Sequence, residues 1–317
     1  MTVRNFKGDD VIKLVDCFNS ALPHDAIEKD QFIKKVLLEE NFDPDGLFII
    51  EGKGRVLGFV CCVYRKVPID AYTPIVRTEG WISAFAVNEK ESFFEIGNAL
   101  LDSAENYFAK HGKSIISTGY YPLYLFQGVS EEHCPEYIEL FEKRGYSCSR
   151  SIARRLELDN YITPQNIAAK KEKLESLGIY VGAIKDEHVC SLVDCRESFN
   201  SSSSAYEFKL RLLDLDYERI RIAAKDGHVI GVCVFGDPYG SPERFGPFAV
   251  SKEFQGMGIG SVLMNECLSE MKKRGLSGAW MQWTPTSGAA DAMYKKIGFQ
   301  QTKTYVTFYK KTEETVK

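Results

Sequence analysis

The stretch Gln255-Gly256-Met257-Gly258-Ile259-Gly260 follows an apolar run, Phe245 to Val250, and leads into a segment with apolar residues at helical spacing. Glycine at 256, 258 and 260 permits a tight turn with its amide N–H groups pointing outward. The unpaired N–H groups of a helix start carry partial positive charge, so such a turn suits an anion, phosphate above all. The same glycines also suit a strand-to-helix turn that holds no ligand. Ile259, Val262, Leu263, Cys267 and Met271 share one face, which predicts the helix. A nucleotide-hydrolysing loop would end in Gly-Lys-Ser or Gly-Lys-Thr, whereas Gly260 is followed by Ser261-Val262. A dinucleotide fingerprint would need its third glycine one residue later and an acid at the end of the next strand, and Glu270 lies inside the helix instead.

The helix is predicted to end near Arg274-Gly275, and Ala279-Trp280-Met281-Gln282-Trp283 reads as the next strand. Ser287 then caps a short helix with Ala290, Met293 and Tyr294 on one face and Gly298 as its stop. With both parts in order, residues 243–310 resemble the GNAT superfamily of acyl-CoA-dependent N-acyltransferases. That family's pattern is strand, Gln/Arg-x-x-Gly-x-Gly/Ala, helix, strand, and a short helix ending in Tyr-x-x-x-Gly-Phe.

The resemblance implies acetyl-CoA as cosubstrate and an α/β fold, a twisted mixed sheet flanked by helices. By the same resemblance Gln255, Gly256, Met257, Gly258, Ile259, Gly260 and Ser261 would hold the coenzyme A pyrophosphate, mainly through backbone amides. Phe248, Ala249 and Val250 would pair with the pantetheine arm, the Phe248 N–H pointing at the thioester carbonyl. Tyr294 would sit near the sulfur, and Ser287 stands where the family often has asparagine. The chemistry suits these residue types. Amine attack on a thioester builds negative charge that a fixed N–H stabilises, and a tyrosine hydroxyl can protonate the departing thiolate. The attacking amine must also lose a proton. Several family members carry a carboxylate at the position of Arg244, and strand alternation turns the adjacent Glu243 to the opposite face, so no base is assigned.

Phe85-Ala86-Val87 and Phe248-Ala249-Val250 are identical, and the register continues as Ile96 with Ile259, Gly97 with Gly260 and Leu100 with Leu263. Gly54-Arg55-Val56-Leu57-Gly58 echoes Gly227-His228-Val229-Ile230-Gly231, and Leu140-Phe141 echoes Met293-Tyr294. These ordered echoes read as a tandem duplication: a degenerate first domain at 1–160, a linking helix within 161–177, and a cofactor-binding domain at 178–317. The first copy has Ser92-Phe93-Phe94-Glu95-Ile96-Gly97 in place of the glycine turn and Phe141 in place of Tyr294. It is expected neither to bind coenzyme A in the usual way nor to catalyse. Its Tyr120, Tyr121 and Tyr124 are candidate walls of an acceptor pocket, with core or interface packing as the other reading.

The chain has 317 residues, 44% of them hydrophobic, which suits two soluble domains. No apolar run approaches a membrane span and no signal peptide is evident, so a cytoplasmic protein without membrane contact is expected. The nine cysteines show no paired spacing and read as reduced, buried residues, without a metal site or a disulfide frame; Cys267 lies on the apolar helix face. The histidines are assigned to surface or turn positions. A net charge of −4 leaves no footprint for nucleic acid, and Lys272-Lys273-Arg274 and Lys295-Lys296 read as helix-end charges or as attraction for phosphate.

The leading expectation is an N-acetyltransferase that moves an acetyl group to a primary amine of a small molecule in a direct ternary complex. A protein or peptide amine and a non-catalytic acyl-CoA sensor are the alternatives, and a homodimer is left open.

Overall fold

Residues 2–52, 54–68, 75–119, 125–126, 128–194, 203–237, 240–284 and 287–312 are described by a computed structural model of the chain. They divide into two compact units, the first of residues 2–68, 75–151 and 303–312, the second of 152–302.

In the first unit β1 (Val3–Asn5) is followed by the helices α1 (Val11–Ala21) and α2 (Lys29–Phe32). Strands β2 (Leu47–Gly52), β3 (Arg55–Val63) and β4 (Glu79–Val87) then form an antiparallel meander. The apolar run of β3 is buried on both faces because α1 packs on it from one element and α3 (Phe93–Lys110) from another. Gly58 makes that approach possible, since a Cβ there would lie 2.9 Å from the Ile96 side chain. Strand β5 (Ile115–Thr118) pairs with β4 in parallel, and β6 (Val129–Ser130) precedes α4 (Pro135–Lys143). A single helix is expected over Ala26–Glu40, yet α2 gives way to a wider π-turn over Ile33–Leu37, where the Leu38 N–H bonds back to the Ile33 carbonyl.

The second unit repeats this order. Strand β7 (Ser147–Glu157) leads through α5 (Asn166–Ser176) to β8 (Ile179–Ala183), α6 (Val189–Val193) and α7 (Ser203–Leu212). The meander β9 (Ile220–Lys225), β10 (His228–Phe235) and β11 (Phe245–Val250) completes a four-stranded antiparallel sheet in the order β11-β10-β9-β8. Then come α8 (Ile259–Lys273), β12 (Gly278–Thr284), α9 (Gly288–Ile297) and β13 (Gln300–Lys311). The result is a mixed α/β fold of two units, each with a sheet flanked by helices.

The unit boundary differs from the contiguous division at 160 and 178. After α4 the chain does not close its own unit: residues 152–157 of β7 pair antiparallel with β12, Gly278 opposite Glu157 and Met281 opposite Arg154. The strand beside β5 is supplied by the end of the chain, with Tyr309 opposite Ser117 and Lys311 opposite Ile115. Each unit therefore takes its last strand from the segment that sequence order assigns to the other. The expected linking helix α5 belongs to the second unit, where Ile167 and Leu174 are buried and α5 packs against α8.

Every described cysteine is free, and most are fully buried, Cys267 among them. His188 holds a turn position, as expected, ending a short 3-10 turn, but it is buried there with its ring stacked on Tyr180. Among the described residues no helix is long and apolar enough to cross a membrane. Tyr120, Tyr121 and Tyr124 lie outside the described residues.

Candidate active site

The glycine turn is a strained backbone made accessible by the absence of side chains. Gly256 has φ +82° and Gly258, the residue before α8, has φ +92°, both in the region that favours glycine. The first bond of α8 runs from the Val262 N–H to the Gly258 carbonyl at 3.2 Å, so the N–H groups of Ile259, Gly260 and Ser261 have no partner inside the helix. They face a cavity of about 770 Å³. Phe248, Ala249, Val250, Gln255, Gly256, Gly258, Ile259, Gly260, Ser261 and Tyr294 all line it. Met257 and Ser287, also expected there, do not: both are exposed, and the Ser287 hydroxyl makes no capping bond although it holds the N-cap position of α9.

Strand β11 offers a free backbone edge to the same cavity. It pairs on one side with β10, Val232 opposite Ala249 and Cys233 opposite Phe248, and Ser251 donates to the Ile230 carbonyl at 2.8 Å. Hydrogen-bonded and non-hydrogen-bonded pairs alternate along an antiparallel ladder, so Ala249 bonds to Val232 while the polar groups of Phe248 and Val250 point away from β10. The Val250 carbonyl accordingly accepts from the Gln255 side chain at 3.1 Å. On that outer edge the only described strand contact is at the start, where Arg244 bridges Trp280 and the Trp280 N–H donates to Glu243. Beyond it the Phe248 N–H is left for a ligand.

Tyr294 reaches the cavity from α9. Burial, with a smaller contribution from Cys233, pushes its hydroxyl up to about 12 despite the opposing field of Arg154, so it carries its proton at neutral pH. Its hydroxyl makes no hydrogen bond to a described residue. The helix that carries it is held by the buried pair Arg154–Asp291. Glu243 is occupied elsewhere: it accepts from Arg155, from the Ser277 hydroxyl and N–H, and from the Gly278 N–H. Burial pulls its carboxyl up, but these donors outweigh it and the pKa lies below the usual carboxylate range. That leaves it unsuited to accept a proton from an amine. Among the described residues no group of acids, cysteines and histidines is placed to hold a metal. The basic helix ends bind protein atoms: Lys272 donates to the Asp159 and Tyr161 carbonyls, and Lys295 pairs with Asp291.

The first unit shows what closes the equivalent groove. The echo of Leu140-Phe141 with Met293-Tyr294 places Tyr137 where the second unit has Ala290, and Phe93 stands in register with Gly256. The Tyr137 hydroxyl accepts from the Val87 N–H at 3.0 Å, the backbone position matching Val250, and the Phe93 ring packs 4.9 Å from the Tyr137 ring. Both side chains are buried. Helices α3 and α4 meet closely, a Cβ on Gly97 falling 2.5 Å from Leu140. At the matching Gly260 the nearest side chains are Phe248 and Val250 of the strand, and α9 stands off. Small residues at 256, 289 and 290 thus keep open in one repeat what aromatic rings fill in the other.

Lys252, Phe254, Ala289, Ala290 and Met293 also line the cavity and are absent from the expected cofactor set. The register with Tyr137 could have singled out Ala290. Lys252 and Phe254 sit in a single 3-10 turn of three residues, too short to carry a periodic signal.

Known proteins share parts of this architecture. The chain is 29% identical over 65 residues to a ribosomal protein bS18 alanine N-acetyltransferase of Escherichia coli K12, which covers 20% of this chain and 44% of that protein. It thus spans less than half the length of the curated relatives it matches. Its fold is similar over 97% of its length to a glucosamine N-acetyltransferase region in a fungal multi-domain β-N-acetylglucosaminidase, with TM-score 0.76, 18% identity and 38% of that chain covered. It is also similar to a tandem GNAT protein from the clavulanic acid biosynthesis pathway, with TM-score 0.68, 15% identity and 97% of each chain covered. Residues 184–299, which include the open strand edge, the glycine turn and Tyr294, match the Acetyltransferase (GNAT) family.

Proposed function

We propose that the protein is an N-acetyltransferase that moves an acetyl group from acetyl-CoA to a primary amine of a small molecule, by direct attack in a ternary complex. The observation that carries this proposal is the convergence, on one cavity, of an unpaired strand edge, an open helix N-terminus and a protonated tyrosine. The coenzyme A diphosphate binds the amides from Gly256 to Ser261, and the pantetheine arm lies along Phe248–Val250. The amine nitrogen attacks the thioester carbon and a C–N bond forms. The Phe248 N–H stabilises the resulting oxyanion, an interaction worth about 3–4 kcal/mol where such donors have been removed. The C–S bond then breaks, and the thiolate takes the Tyr294 proton. The proton released by the amine leaves through water, and Tyr294 is reprotonated from solvent.

The free, mostly buried cysteines fit a reducing, cytoplasmic setting. A peptide amine is the second reading, favoured by the similarity to a ribosomal-protein acetyltransferase. Measuring free thiol release from acetyl-CoA against a panel of small amines and N-terminal peptides tests the proposal. Release with a small amine supports it, release with peptides alone moves the assignment to the second reading, and tight acetyl-CoA binding without release under any amine identifies a sensor.

A further inference from the structure

We propose that Lys170, on the helix α5 between the two repeats, is a phosphate-binding residue that completes the diphosphate site at the start of α8. The inference rests on the acetyl-CoA reading above and goes beyond the residues of the glycine turn. The Lys170 ammonium lies 3.4 Å from the Ser261 hydroxyl, in the first turn of α8, beside N–H groups that lack a helical partner. It is half-buried and has no carboxylate partner among the described residues. Its neighbour Lys171 is different: it is neutralised by Glu266, further along α8.

A cation beside a helix N-terminus is repelled by the partial positive charge of the helix. Lys170 does not itself line the cavity but touches Ser261, which does, so the two positive features adjoin its rim and an anion bound there relieves their repulsion. A diphosphate supplies that charge and accepts hydrogen bonds from the ammonium, the Ser261 hydroxyl and the amides at once. The rigidity of α5 makes the placement definite. Its apolar side is anchored by Ile167 and Leu174, and the segment before it is tied to α8 by the bond of Tyr161 to Asn265 and that of Thr163 to Ser269. The helix that joins the repeats in sequence is thereby built into the cofactor site.

Titration calorimetry of the full chain with coenzyme A, 3′-dephospho-coenzyme A and pantetheine tests this, comparing wild type with Lys170→Ala and Lys170→Arg. Lys170→Ala is expected to weaken both nucleotide ligands about three- to tenfold, the range of a partly exposed charge-assisted contact, with a shallower salt dependence. Lys170→Arg should retain most of the affinity, pantetheine binding should not change, and the melting temperature should stay within about 2 °C of wild type because the residue holds no buried contact. Unchanged nucleotide affinity in Lys170→Ala would overturn the inference. So would a loss confined to coenzyme A, which would place the lysine at the 3′-phosphate. If wild type itself binds no coenzyme A, the cofactor reading fails and this inference with it.

Discussion

Arg154 and Asp291 stand 137 positions apart in the chain, yet the Arg154 guanidinium donates to the Asp291 carboxylate at 2.5 Å in a pair shielded from solvent. Arg154 lies on β7 and Asp291 in the first turn of α9, one turn ahead of Tyr294. The guanidinium also donates to Thr284 at the end of β12, at 3.1 Å, and the Thr284 hydroxyl donates to the Ile152 carbonyl. One side chain therefore ties the helix that carries the tyrosine to the strand pair beside it. Removing one partner of a buried pair strands the other charge, at a cost of about 3–5 kcal/mol. Because Lys295 also pairs with Asp291, Arg154→Met should lose about 3 kcal/mol in denaturant unfolding, and kcat should fall more than acetyl-CoA affinity. Wild-type stability in that variant would show the pair to be incidental.

Tyr294→Phe should lower kcat by roughly ten- to a thousandfold, the range spanned by general acids and their partial replacement by water, with acetyl-CoA affinity unchanged. Since burial holds the hydroxyl near 12, wild-type turnover should show no descending limb from this group below about pH 11. A limb near neutral pH that disappears in Tyr294→Phe would contradict the acid role.

Ala290→Tyr should close the cavity as Tyr137 closes its counterpart, weakening acetyl-CoA at least about a hundredfold in a chain that still folds, because the same substituent packs well in the first repeat. Calorimetry together with circular dichroism separates the two effects. The reverse change, Tyr137→Ala, should cost about 3–5 kcal/mol through a cavity and an unpaired Val87 N–H. It should not create a second cofactor site, because Phe93 and Glu95 remain.

Glu243→Gln tests both the assignment of that carboxylate to structure and its pH signature. A depressed pKa means stability that is present above the unfolded-state value and lost as pH falls through the folded one. Wild type should therefore lose more stability than Glu243→Gln between about pH 5 and 3, around the ordinary glutamate value near 4.3. At neutral pH the variant should be less stable yet keep kcat within about threefold, since the side chain takes no part in the proton transfers. A loss of turnover beyond a hundredfold with normal stability would instead identify Glu243 as a base.

Much of the site was legible because its signals are local. Positive φ calls for glycine at 256 and 258, helical spacing from Ile259 to Met271 defines the buried face of α8, and the Tyr294-to-Phe299 segment carries its own stop. Met264, Asn265 and Leu268 are buried as well, which periodicity did not foresee, because α5 covers a second side of the helix. Ser287 and Met257 were expected beside the cofactor, and in the fold they stand outside the cavity lining. A motif position says which backbone segment approaches the cavity, whereas the direction of each side chain depends on the neighbours around it.

The sequence alone determined the doubled α/β plan, the strand-to-helix turn built of glycines, and the loss of that turn from the first repeat. Each rests on patterns that a few adjacent residues impose on their own backbone. Only the tertiary structure decided that β7 pairs with β12 while the end of the chain pairs with β5, and that Arg154 meets Asp291 and Lys170 meets Ser261. Two strands of similar alternating pattern follow similar helices, so local preference does not distinguish their partners. That choice is made by packing among residues more than a hundred positions apart, which no short-range pattern encodes.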